Sequence, residues 1–75
     1  MKELVEYIAC ALVSRPDQVR VTEIEGDGST IYELHVAPED VGKVIGRQGR
    51  IARALRTTVR AAARDGRSVH VEIID

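Results

Sequence analysis

A helical pattern over residues 38–64 is broken once, by Gly46-Arg47-Gln48-Gly49. This break constrains the fold more than any other feature of the chain. Two glycines three apart allow positive φ and a close approach of backbone, so the segment reads as two helices meeting at a tight corner. The first is short. Pro38-Glu39-Asp40 opens it, with Pro in the first turn and two acids at the positive end of the dipole. The second starts near Gly49 or Arg50 and runs to about residue 64, where Asp65-Gly66 closes it and Gly66 is read as the C′ residue.

The rest of the pattern fits around this corner. Leu4, Val5, Ile8, Ala11 and Leu12 recur at helical spacing over about residues 2–14 and predict a first helix, ended by Arg15-Pro16-Asp17. Cys10 is expected inside it as a small buried apolar residue. Residues 19–25 are rich in β-branched side chains, and residues 31–36 alternate, with Tyr32, Leu34 and Val36 on one face. Gly26-Asp27-Gly28-Ser29 between them is a hairpin signal. Residues 68–74 alternate again, Val69, Val71 and Ile73 against Ser68, His70 and Glu72. The order is α-β-β-α-α-β. The helical crossover makes the second and third strands parallel. The expected fold is a two-layer α+β domain over residues 1–75, helices on one face of a three-stranded mixed sheet.

Function classes fall away in turn. With 75 residues the chain has no room for a cleft between domains. A single cysteine excludes an internal disulfide and a cysteine-based zinc site. No apolar run approaches 18 residues, and the amino-terminal pattern is charged and amphipathic, so the expected compartment is the cytoplasm. His35 and His70 fall on the polar faces of their strands with no third ligand, so no metal is expected. No nucleophile–base–acid set forms around Ser14, Ser29, Ser68, Thr57 or Thr58. The chain reads as neither an enzyme nor a cofactor binder.

Charge supplies the positive signal. The net charge is only −1. Residues 1–42 nevertheless carry three Lys/Arg against nine Asp/Glu, and residues 43–75 carry eight against three. The local field decides where a polyanion docks. Along the third helix Ile51, Leu55, Val59 and Ala62 share one side, while Arg53, Arg56, Arg60 and Arg64 share the other, with Arg50 near their edge. The loop sits at the amino-terminal end of this helix, where free N–H groups and the dipole favour an anion. Lys43, Arg47 and Arg50 add charge beside it. A P-loop would need four residues between its glycines and Lys-Ser/Thr after them. A dinucleotide fingerprint would need Gly-x-Gly after a buried strand. Neither is present, and a phosphodiester fits best. With Tyr7 and Tyr32 the only aromatics, the sheet is no base-stacking platform. Any groove must be aliphatic: Val41, Val44 and Ile45, with Ile51 or Leu55, are groove lining beside the second strand or core. Ala54, Thr57, Thr58 and Ala61 make a strip of small side chains, either a seat for a second helix or ordinary surface.

These residues resemble a family. Gly46-Arg47-Gln48-Gly49 between two helices, preceded by Val44-Ile45, resembles the GXXG loop of KH domains, and the element order resembles their type II arrangement. Met1-Lys2-Glu3-Leu4-Val5-Glu6-Tyr7-Ile8, Val36-Ala37-Pro38-Glu39-Asp40-Val41-Gly42-Lys43-Val44-Ile45-Gly46 and Gln48-Gly49-Arg50-Ile51-Ala52 are similar to the KhpA family of small bacterial single-KH proteins. The resemblance implies a clamp for about four nucleotides of single-stranded RNA or DNA. Gly46 to Gly49 would lie on the phosphates, with Arg47 and Gln48 as the variable positions and Val44, Ile45 and Ile51 in the groove. It also implies RNA chaperoning or post-transcriptional control, self-association, and pairing with a second KH protein of the KhpB (Jag) type in cell-envelope, cell-shape and division control. The small strip is then the candidate pairing surface. The expected RNA-contacting set is Lys43, Val44, Ile45, Gly46, Arg47, Gln48, Gly49, Arg50, Ile51 and Arg53. The alternative is a protein–protein adaptor on a degenerate KH fold, dimerising through the third helix; a small phosphate-handling enzyme ranks third.

Overall fold

The computed structural model describes residues 1–63 and 66–74. It contains helix α1 (Lys2–Leu12), strands β1 (Arg20–Gly26) and β2 (Ser29–His35), helices α2 (Val41–Ile45) and α3 (Arg50–Ala62), and strand β3 (Ser68–Ile74). The fold is the expected α-β-β-α-α-β arrangement, the order that the resemblance implies. β2 is the central strand, antiparallel to β1 and parallel to β3.

The sheet buries one face. Val21 opposes Leu34, and Tyr32 lies between Glu23 on β1 and Val71 on β3. Leu34, Tyr32, Val69 and Val71 meet Val5 and Ala9 of α1, Val44 of α2, and Leu55 and Val59 of α3. Valine dominates this core, which lets the helices sit close to the sheet. The hairpin closes with Gly26 paired to Ser29, leaving Asp27 and Gly28 as the turn, and Gly28 takes φ 73° as that turn requires.

Several boundaries move. α1 ends at Leu12, two residues early: Val13 turns extended, and the amides of Ser14 and Arg15 leave the helix for the Asp40 carboxylate. Its buried positions are Val5 and Ala9, so Cys10 and Ala11, expected inside, are exposed. One position along a helix rotates a side chain by about 100°, and with Ala9 on the contact line Cys10 faces solvent. The first two strands start and end one or two residues from the expected bounds. Pro38–Asp40 is a 3-10 turn, so α2 proper begins at Val41. α3 ends at Ala62, and Ala63 is already extended. Gly66 has positive φ but lies too far beyond the last helical residue to be its C′ residue. Arg64 and Asp65, expected to end α3, lie outside the described residues.

Both histidines lie on the uncovered sheet face, as expected, but they do not meet. His70 sits opposite Ile31, and His35 opposite Ile74. Four residues of strand therefore separate them, about 13 Å. Among the described residues no group of His, Cys, Asp and Glu could hold a metal ion, and no helix is long and apolar enough to cross a membrane.

Candidate nucleic-acid interface

The loop between α2 and α3 is a built turn. The N–H of Gly46 donates to the Gly42 carbonyl at 2.9 Å and closes α2. Gly46 then takes φ 77°, ψ 170°, a conformation essentially confined to glycine. Its missing side chain is needed twice over. A Cβ there would lie 2.7 Å from Ile51 Cγ1 and 2.9 Å from the Ile51 backbone nitrogen. The first turn of α3 is thus seated directly on Gly46.

Two left-handed residues follow. Gln48 has φ 56°, ψ 26°, and Gly49 has φ 74°, ψ 16°. The Gly49 N–H donates to the Gly46 carbonyl at 3.1 Å and ties the loop across its mouth. Among the described residues Gln48 is the only non-glycine with positive φ. Nothing in the sequence marks it, because glutamine has no local preference for that region. Its carbonyl accepts from Nη2 of Arg53 at 3.0 Å.

The basic residues divide into groups. Arg47, Arg50 and Arg53 are exposed around the loop. Among the described residues no carboxylate pairs with any of them, nor with Arg56 or Arg60. Further along α3 the row is less free than expected. Arg56 is half-buried, and Nε of Arg60 donates to the Val69 carbonyl at 3.2 Å, laying that side chain along β3. Arg64, the last of the expected row, lies outside the described residues. Lys43, expected beside the anion site, turns the other way. Its ammonium lies 3.3 Å from Oδ1 of Asp40 and donates to Oγ of Ser14.

Asp40 is the residue that sequence reasoning undervalued. As an acid after a proline it reads as a partner for a helix dipole. It is in fact wholly buried: Oδ1 accepts the Ser14 N–H and Oδ2 the Arg15 N–H, each at 3.0 Å. The Ser14 amide first, and then the Arg15 amide and the Lys43 ammonium, hold its carboxyl below the ordinary 3.8, against the opposing effect of desolvation. The end of α1 is thereby fastened to the start of α2. No local signal could have disclosed it, since its partners lie 25 and 26 residues away.

The apolar candidates also sort by burial. Val44 is fully buried and Leu55 nearly so; both belong to the core and offer no surface to a ligand, which corrects the expectation for Val44. Val41 and Ile51 are half-buried, and Ile45 is 38% exposed beside the loop. α2 packs more closely on the edge strand β3 than on β2, the strand beside which the aliphatic residues were expected.

On α3, Ala54, Thr57, Thr58 and Ala61 are all exposed. Arg50, Arg53, Ala54, Thr57 and Thr58 line a shallow hollow of about 400 Å³. Thr57 and Thr58 donate their hydroxyls to the carbonyls of Arg53 and Ala54, at 3.0 and 2.9 Å. That leaves methyl groups as the surface chemistry of the strip. A second cavity, of about 430 Å³, lies at the opposite end of α3, and its rim carries Glu23 and Glu25. Those carboxylates have the wrong sign for phosphate. The loop end is thus basic, while the opposite end of α3 carries both signs, with Arg67 lining the same cavity as Glu23 and Glu25.

Comparison with known proteins agrees with this geometry. A family profile described as "KhpA/KhpB, KH domain" matches residues 2–73. The chain is similar to the RNA-binding protein KhpA of Caldanaerobacter subterraneus subsp. tengcongensis, 63% identical over 99% of this chain and 100% of that one. It is 60% identical to RNA-binding protein KhpA of Clostridium perfringens over the same shares. Aquifex aeolicus has an RNA-binding protein KhpA 53% identical over 100% of this chain and 96% of its own. No solved structure matches the chain significantly.

Proposed function

The chain belongs to the KhpA/KhpB family of KH domains, not to an enzyme family, and from that premise we propose that residues 1–75 act as one cytoplasmic, non-enzymatic domain that binds single-stranded RNA. The observation that carries the reading is the preformed loop of residues 46–49 at the head of α3, ringed by Arg47, Arg50 and Arg53 with no carboxylate among the described residues to neutralise them. The dipole of α3 and the guanidinium groups of Arg47 and Arg50 draw the backbone, while Ile45 and Ile51 give the bases an aliphatic surface. With no aromatic platform, base discrimination is modest, as suits a general RNA chaperone or post-transcriptional regulator.

Fluorescence anisotropy of a labelled single-stranded RNA tests the reading. The native protein should bind with log K falling by about 0.7 per phosphate contacted for each decade of salt. Arg47→Asp/Gln48→Asp places two negative charges on exposed positions where phosphate would lie. It should weaken binding roughly tenfold or more with the circular dichroism spectrum unchanged. Equal affinity of the two proteins would sink the clamp.

The α3 strip supports a second reading, in which the protein also pairs through that face with another copy or with a KhpB (Jag)-type partner serving cell-envelope and division control. Small side chains let two helices approach closely, and the methyl-bearing hollow of Ala54, Thr57 and Thr58 offers a seat. Thr57→Gln fills that seat, and light scattering should then show a dimer reverting to monomer. A dimer unchanged by the substitution places the pairing surface elsewhere.

A further inference from the structure

Gln48 is held in a backbone region that side-chain-bearing residues rarely adopt, and one side chain bonds to its carbonyl. Arg53, one turn into α3, donates from Nη2 to the Gln48 carbonyl at 3.0 Å. The guanidinium runs alongside Gly49, where an added Cβ would sit 4.0 Å from Nη2. The Gln48 carbonyl and the Gly49 N–H belong to one planar peptide unit. Fixing the oxygen therefore fixes the hydrogen on the other side of the plane, and that hydrogen makes the bond to the Gly46 carbonyl that closes the loop.

We propose that Arg53 is a positioning residue: it locks the peptide plane between Gln48 and Gly49, so that the loop is already shaped for a phosphodiester before RNA arrives. This rests on the reading of residues 46–49 as a backbone clamp, and it gives Arg53 a task different from that of Arg47 and Arg50. A guanidinium held by a carbonyl, and carrying no ion pair among the described residues, acts on affinity by reducing the ordering that binding must impose. Arg47 and Arg50, which make no such bond among the described residues, act through charge alone.

Two measurements separate this from a direct phosphate contact and from failure of the RNA reading. In the free protein, Arg53→Met should speed hydrogen exchange at the Gly49 amide by roughly fivefold, with the thermal midpoint lowered by no more than about 4–8 °C because Arg53 is exposed. Gln48→Gly removes the conformational strain that Arg53 counters. In its background Arg53→Met should change Gly49 exchange much less, so the coupling between the two substitutions is the quantity read. In RNA titrations Arg53→Met should weaken binding about threefold to tenfold while leaving the slope of log K against log salt unaltered. Unchanged Gly49 exchange, or a slope shallower by about 0.7, overturns the positioning role and makes Arg53 an ordinary phosphate ligand. If the native protein binds no RNA, the functional reading falls and Gly49 exchange alone decides the role of Arg53.

Discussion

Replacing Gly46 by alanine is expected to lower the thermal midpoint by about 10 °C or more and to abolish RNA binding. Two costs combine. The backbone at φ 77°, ψ 170° is strained for any residue with a side chain, by about 1–3 kcal/mol. The new methyl would also meet Ile51, and one of the atoms it meets is the backbone nitrogen at 2.9 Å, which cannot swing aside. For a domain of this size about 1 kcal/mol corresponds to roughly 4–8 °C. The other glycines of the segment supply an internal scale. Gly49→Ala meets nothing closer than 4.0 Å and costs only its left-handed φ, about 1–2 kcal/mol. Gly42→Ala has open space within α2 and should be neutral or stabilising by about 0.5–1 kcal/mol. Thermal unfolding followed by circular dichroism ranks the three. A Gly46→Ala protein as stable as Gly49→Ala would show that α3 can slide off the loop at little cost.

Removing the Asp40 carboxylate should be comparably damaging, with a pH signature of its own. Asp40→Ala leaves the Ser14 and Arg15 amides without their acceptor and releases Lys43; a fall of roughly 10 °C in midpoint is expected. Asp40→Asn keeps one oxygen but turns an amide donor toward the second N–H, so it should recover only part of the loss. The folded carboxyl titrates below its ordinary 3.8. The native state therefore binds fewer protons than the unfolded chain in that range, and the contribution is complete above the ordinary value. It is lost as pH falls through the lower, folded value. The native protein and Asp40→Asn should consequently differ most in midpoint above about pH 5 and converge under strong acid. A constant gap across that range would mean that the Asp40 proton has no part in stability.

The sequence carried the frame of this molecule because its signals are local. β3 begins and ends where the alternation of Val69, Val71 and Ile73 places it. The hairpin follows from Asp27-Gly28, and the parallel pairing of β2 with β3 follows from a crossover long enough to hold two helices. The loop was visible as a gap in a helical pattern. Its internal mechanics were not. Nothing near Asp40 foretells that it fastens the end of α1, and nothing in Gln48 foretells its left-handed backbone. Whether Lys43 faces the loop or Ser14 depends on a buried carboxylate that pattern reading assigns to a helix dipole. The inside or outside placing of Cys10 and Ala9 turned on one position of helix rotation, which composition cannot resolve between two small residues. Val44 and Ile45 are neighbours of equal hydropathic weight; only the packed core distinguishes them.

α2 is five residues long, too short to persist as a helix by itself. One end is moored to α1 through Asp40, and the other bears the turn on which α3 rests. The loop of residues 46–49 thus has no shape of its own; it borrows its shape from contacts that exist only when α1, α3 and the sheet are assembled. If residues 46–49 clamp RNA as proposed, competence to bind and completion of folding are a single event in this chain, and a partly unfolded copy is blind to RNA rather than a weaker reader of it.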